Sequence, residues 1–152
     1  MNADWQIRDA IRNLLVSEHP QARVWPFLAI GHDMSDWPGL FKNASGLHGY
    51  TIFRTAAKAE WRGSGGRDRR TFDYAIWTFY GWRPGRVGDN SDDEFSDIIE
   101  ADYQAFKSSP RLGLETIVQE HGLLQVSNIS TINCGEETLH ISTAQLSVLV
   151  CC

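Results

Sequence analysis

YTIFRTAAKAEW at residues 50–61 and TFDYAIWTFYGW at residues 71–82 flank the run RGSGGRDRR at 62–70. Both flanks are rich in β-branched and aromatic residues, while the Gly, Ser and Arg of the interval favour a turn, so the stretch predicts one long β-hairpin with a flexible loop near 62–70. In its second arm Phe72, Tyr74, Ile76, Tyr80 and Trp82 fall on one face and Ala75, Trp77 and Phe79 on the other. A strand with one face in water would alternate apolar with polar. Two arrangements satisfy this pattern: the chain's own elements cover both faces, or helices cover one and a neighbouring subunit covers the other.

Upstream, Ile7, Ile11, Leu14 and Leu15 recur at helical spacing between Asp4 and Glu18, and Pro20 blocks continuation, which predicts an amphipathic first helix. A short strand follows within Arg23 to Ile30, placed at an edge or bend by Pro26. Residues 32–46 read as a loop with one turn around Trp37 to Phe41. Downstream, Ser91 and Glu94 form a capping box that opens a helix reaching about Lys107, with Phe95, Ile98, Ile99, Tyr103 and Phe106 as its apolar face. After a connector over 112–121, Leu123 to Ile132 and Thr138 to Val150 form a second hairpin, turning at Asn133-Cys134-Gly135-Glu136. Its expected register sets Ile129 against Ile141, Val126 against Ala144 and Leu124 against Leu146. The apolar phase switches on both strands at one level, so the tip and base bury opposite faces or carry paired bulges.

The expected fold is therefore α+β: a single domain over 1–152 with a mostly antiparallel β-sheet and two main helices packed on one side, in the order α-β-β-β-α-β-β. Its 152 residues and 42% hydrophobic content suffice for a sizeable core.

Charge is segregated along the chain. Arg54, Lys58, Arg62, Arg67, Arg69, Arg70, Arg83 and Arg86 gather in the long hairpin and its exit, opposed by Glu60, Asp68 and Asp73. The second helix begins with Asp92, Asp93, Glu94, Asp97, Glu100 and Asp102 and no basic residue. Acids in a first turn complement the helix dipole, which accounts for that helix but not for the basic hairpin. Contact between subunits, head to tail, would set one patch against the other. The candidate subunit interface is accordingly Trp77, Phe79, Ile129, Leu139 and Ile141 with Arg54, Lys58, Asp93 and Asp97. Arg62, Arg67, Arg69 and Arg70 form a candidate lumen or DNA-facing loop.

Other chemistries find little purchase. Cys134, Cys151 and Cys152 offer neither zinc spacing nor a disulfide framework, and His19, His32, His48, His121 and His140 are scattered. The 62–70 loop lacks the Gly-Lys-Ser or Gly-Lys-Thr of a phosphate cradle. A net charge of -5 argues against binding nucleic acid through overall charge. No apolar run approaches the roughly 20 residues of a membrane span, and the N-terminus does not read as a signal peptide. These readings predict no catalytic residue, no metal and no cofactor, and a chain that folds in a reducing cytoplasm.

The order of elements resembles the tail terminator proteins of long-tailed bacteriophages, also described as tail-completion or minor tail proteins. The similarity rests on Phe79-Tyr80-Gly81 ending the hairpin, the helix from Phe95 to Phe106, Pro110-Arg111-Leu112-Gly113 after it, and Cys134-Gly135 through Leu139-His140 to Leu146-Ser147-Val148. The Trp25-Pro26 to Trp37-Pro38 region and the Cys151-Cys152 end depart from that pattern. The resemblance implies a homo-oligomeric ring, usually of six subunits, that caps the tail tube. Its partners would be the tail tube protein and the head-tail connector or stopper, with passing contact to DNA in the channel, and its place the virion, after assembly in the host cytoplasm. A head-tail stopper or neck protein, and a small nucleic-acid-binding module using the Arg-rich loop, stand as alternatives.

Overall fold

The structure, a computed structural model, describes residues 2–61 and 69–150. Its fold is α+β, with a mostly antiparallel curled sheet. The elements are α1 (Ala3–Glu18), β1 (Arg23–Trp25), a 3-10 turn (Met34–Asp36), α2 (Trp37–Phe41), β2 (Lys42–Asn43), β3 (Gly46–Glu60), β4 (Arg69–Gly81), α3 (Ser91–Lys107), β5 (Val118–His121), β6 (Gln125–Cys134) and β7 (Glu137–Val150). In the sheet the order is β1-β3-β4-β7-β5, with β2 paired to β3 and β6 to β7. Along β7, therefore, β6 takes the tip half and β5 the base half of one side.

The helices start where short polar side chains satisfy free amides. Asn2 accepts from Trp5 N at the head of α1, and Asn90 accepts from Asp93 N at the head of α3. The cap of α3 is thus Asn90, and Ser91, expected to cap it, is the first helical residue and is buried. On α1 the buried positions are Ile7, Ile11 and Leu15, spaced four apart on one face. They pack with Phe106 of α3 against Phe72, Tyr74 and Ile76 of β4 and Leu146 and Val148 of β7. Each fully buried aliphatic side chain contributes about 2 kcal/mol, so this layer is the main source of stability. Phe72, Tyr74 and Ile76, which the alternation put together on one face of the second arm, thus lie beneath the helices.

On the other face, the tip end of the sheet is closed by the chain itself. β1 runs parallel to β3, with Val24 beside Tyr50. Parallel neighbours need a crossover. Residues 26–45 supply it, and α2 within them drops Phe41 onto the sheet, where its ring stacks on Phe79 at 4.5 Å. Trp37 meets Phe79 edge-on at 5.7 Å, and Leu139 and Ile141 complete this second core. Gly49 makes the approach possible, since a Cβ there would lie 2.2 Å from Phe41 Cδ1.

Several details depart from the sequence expectations. β3 begins at Gly46, because Asn43 Oδ1 takes Ser45 N in a tight turn and Gly46 adopts φ 138°, pairing β2 with the strand's start. β5 sits in the expected connector: only Val118 is buried, so VQEH shows no apolar alternation. Ile129 faces Ser142, not Ile141, because β6 bulges between Val126 and Asn128. That bulge keeps Val126 and Ile129 on the same side, whereas β7 does exchange faces, with Leu139 and Ile141 in the second core and Ala144, Leu146, Val148 and Val150 in the first. Residues 62–68 of the expected loop lie outside the described residues, while Arg69 and Arg70 belong to β4.

Candidate assembly surface

Phe79, Leu139 and Ile141 were expected at a subunit interface, and the fold corrects this. Their exposures are 0%, 1% and 7%, because α2 and its flanking turn cover them from within the chain. Trp77 is different. It is half-buried, meets Phe53 edge-on at 5.7 Å, and stands where cover from α2 gives out. Toward the base of the same face Phe53, Thr55, Ala75, Trp77, Thr143 and Gln145 line a shallow trough of about 250 Å³, closed at one side by Ser127 of the β6 bulge. Thr51, across from Trp77, fixes the corner beside it: its Oγ1 donates to Phe27 O and accepts from Ala29 N. Phe27 and Leu28 on that corner are exposed. A large aromatic pair in a half-open trough, next to two exposed apolar residues, is the composition of a contact surface.

Ile129 also stays exposed, at 57%, but on the face that carries α1 and α3. It lies mid-way along β6, an edge strand whose sequence QVSNISTINC holds no charge and no proline. Residues 127–131 are all exposed. Edge strands are normally protected from pairing by Lys, Pro, strong bulging or shortness, and over these ten residues the bulge beside Ser127 is the sole such device.

The charged candidates divide. Arg54 and Arg70 place their guanidinium carbons 4.9 Å from the Phe72 ring centre, one from β3 and one from β4, which ties both to the hairpin's own packing. Lys58 lies 3.5 Å from Asp73, and Arg69 stands across from Glu60. At the other end of β4, Asp93 serves the turn before α3, accepting from Gly88 N and Asn90 Nδ2 at 2.8 Å each. Glu94 pairs with Arg83 and takes the Tyr80 hydroxyl at 2.7 Å, so part of the acidic helix start is answered by the chain's own hairpin exit. Asp97 is exposed on α3. The basic and acidic candidates thus sit toward opposite ends of β4, not side by side. Arg62 and Arg67 lie outside the described residues.

The sequence reading missed a polar chain that joins three elements. His19 Nε2 lies 2.7 Å from Asp102 Oδ1, Tyr50 Oη donates to Asp102 Oδ2 at 2.7 Å, and His48 Nε2 is 3.1 Å from Tyr50 Oη. With Tyr50 donating to Asp102, its oxygen takes the Nε2 proton of a neutral His48. Burial drives the His48 pKa down to about 3, helped by the nearby His19, and raises those of Tyr50 and Asp102. The chain fastens the end of α1 and the middle of α3 to β3. It opens on a cleft of about 430 Å³ bordered by His48, Tyr80, Trp82, Arg83 and Glu94. A second buried pair, Ser91 Oγ and His140 Nε2 at 2.8 Å, holds α3 to β7, and the same Ser91 hydroxyl bonds Arg83 N and O. No spacing in sequence announces these groups, because the links from His19 and Tyr50 to Asp102 and from Ser91 to His140 join positions 83, 52 and 49 residues apart.

Among the described residues no group of three or more His, Cys, Asp or Glu side chains could hold a metal, and no helix is long and apolar enough to cross a membrane. No protein-family model matches the chain, and no curated protein matches it.

Proposed function

We propose that the chain is a structural subunit of a phage-tail-like assembly: a ring, most simply hexameric, that caps a tail tube and joins it to the head connector. The observation that carries the reading is the trough around Trp77 and Phe53. It is the uncovered remainder of a sheet face whose other half is sealed by α2, and it holds aromatic surface of the kind an assembly partner covers. The open edge of β6 and the separated charges at the two ends of β4 support the same reading. The family resemblance supplies the kind of assembly, and the surfaces supply the reason for one.

Mixing the purified protein with tail tubes tests this directly. Native mass spectrometry is expected to show a closed oligomer, and negative-stain images to show rings seated on tube ends. A protein that stays monomeric and ignores tube ends overturns the proposal.

A further inference from the structure

The sheet has two open edges on opposite sides. On one side lies β6, and on the other the distal part of β3, because β1 pairs only with Gly49 to Thr51 and β2 only with Gly46 and Leu47. Among the described residues no backbone hydrogen bond runs outward from residues 53–60 or from residues 125–134. From these observations we infer that neighbouring subunits join edge to edge, β6 of one copy pairing antiparallel with distal β3 of the next. The inference rests on the assembly reading above and names the contact that builds it.

Three features select this occupant. The strands β3, β4, β7 and β6 alternate in direction and number four, so a repeat of the unit, stepped along the strands because β6 lies level with residues 46–53 of its own β3, sets β6 antiparallel to the distal part of the next β3. An odd count would have demanded a parallel join with its slanted hydrogen bonds. The chemistry also matches: β6 is uncharged, so it accepts the Arg54, Lys58 and Glu60 side chains of β3 without like-charge opposition, and Ala57 and Ala59, on the helix-bearing face of β3, leave room beside exposed Ile129. Finally, the contact is heterologous, using two different edges, and a heterologous contact closes into a ring when the rotation between copies divides the full turn, as an isologous one cannot. Joining through edges leaves the Trp77 trough free for the next component of the tail, so subunit and partner contacts use separate surfaces.

Cysteines at Thr131 and Ala57 test the pairing. Both positions are exposed, and their cross-strand partners His140 and Phe72 place them on the helix-bearing face. Cys151 and Cys152 are changed to Ser, and buried Cys134 is left in place. With a short bis-maleimide the double variant is expected to give a ladder ending at the ring size, each single variant a monomer, and a mixture of the two singles a dimer. Ser130→Lys, on the exposed edge, is expected to leave the melting temperature unchanged and abolish the ladder. A dimer from the Thr131→Cys single variant means β6 pairs with itself about a two-fold axis and overturns the inference. Rings by native mass spectrometry without cross-links overturn the edge contact while leaving the ring reading standing. A protein that stays monomeric at the highest soluble concentration and also in the presence of tail tubes overturns both.

Discussion

His48 sets the sharpest dependence on solution conditions. Its folded pKa near 3 lies below the ordinary 6.5, so between those values the unfolded chain binds a proton that the folded chain refuses. Stability is therefore flat above about pH 7 and falls as pH drops through 6.5, by about 2 kcal/mol at pH 5. His140, also lowered by burial, adds to the fall. Asp102 opposes it, because its raised pKa means the folded chain takes up a proton before the unfolded one does. Urea melts at pH 7 and pH 5 check this: His48→Gln should flatten much of the slope, and an unaltered slope would place its origin elsewhere. None of this was legible in the sequence, where the histidines read as scattered. Their roles arise because α1 ends, β3 passes and α3 crosses at one point, and one-dimensional spacing carries no record of such a meeting.

Among the elements, the crossover from β1 to β3 decides how much of the sheet remains for partners. Both hairpins, both main helices and the two-faced character of β4 are readable from periodicity, because each is a regular pattern over ten or more residues. The crossover is not, since α2 spans five residues and its stretch contains Pro38 and Gly39, which read as a loop. For that reason Phe79 looked available when Phe41 already covers it. Two substitutions test the cover. Phe41→Ala is expected to cost about 3–5 kcal/mol in chemical denaturation, as deletion of a fully buried aromatic does. Gly49→Ala, which forces a methyl group against the Phe41 ring, should cost about 1–3 kcal/mol. By contrast Ile129→Thr, at an exposed edge position, should change stability by under about 0.5 kcal/mol. If Ile129→Thr proved as costly as Phe41→Ala, Ile129 would belong to the core and not to the surface.

At the scale of the whole molecule, two surfaces are suited to different work. A subunit that must join its own copies and also engage the tube needs contacts that do not compete. The β6 and β3 edges lie in the plane of the sheet, and the trough lies on its face. A charge placed on either surface should therefore separate the two activities. Gln145, exposed on β7 opposite Ala75, lines the trough without supporting either core. In Gln145→Lys an ammonium must be covered, or turned aside, when a partner closes over Phe53 and Trp77, and a penalty of only about 1.4 kcal/mol weakens binding tenfold. The expected outcome is a variant with unchanged melting temperature that still forms rings but captures tube ends at least tenfold less well, read by co-sedimentation with tubes. Ser130→Lys should show the opposite defect, losing the ring first and tube capture only in consequence. Loss of rings in Gln145→Lys would instead mean that the trough is the contact between subunits, and the assignment of the two surfaces would have to be exchanged.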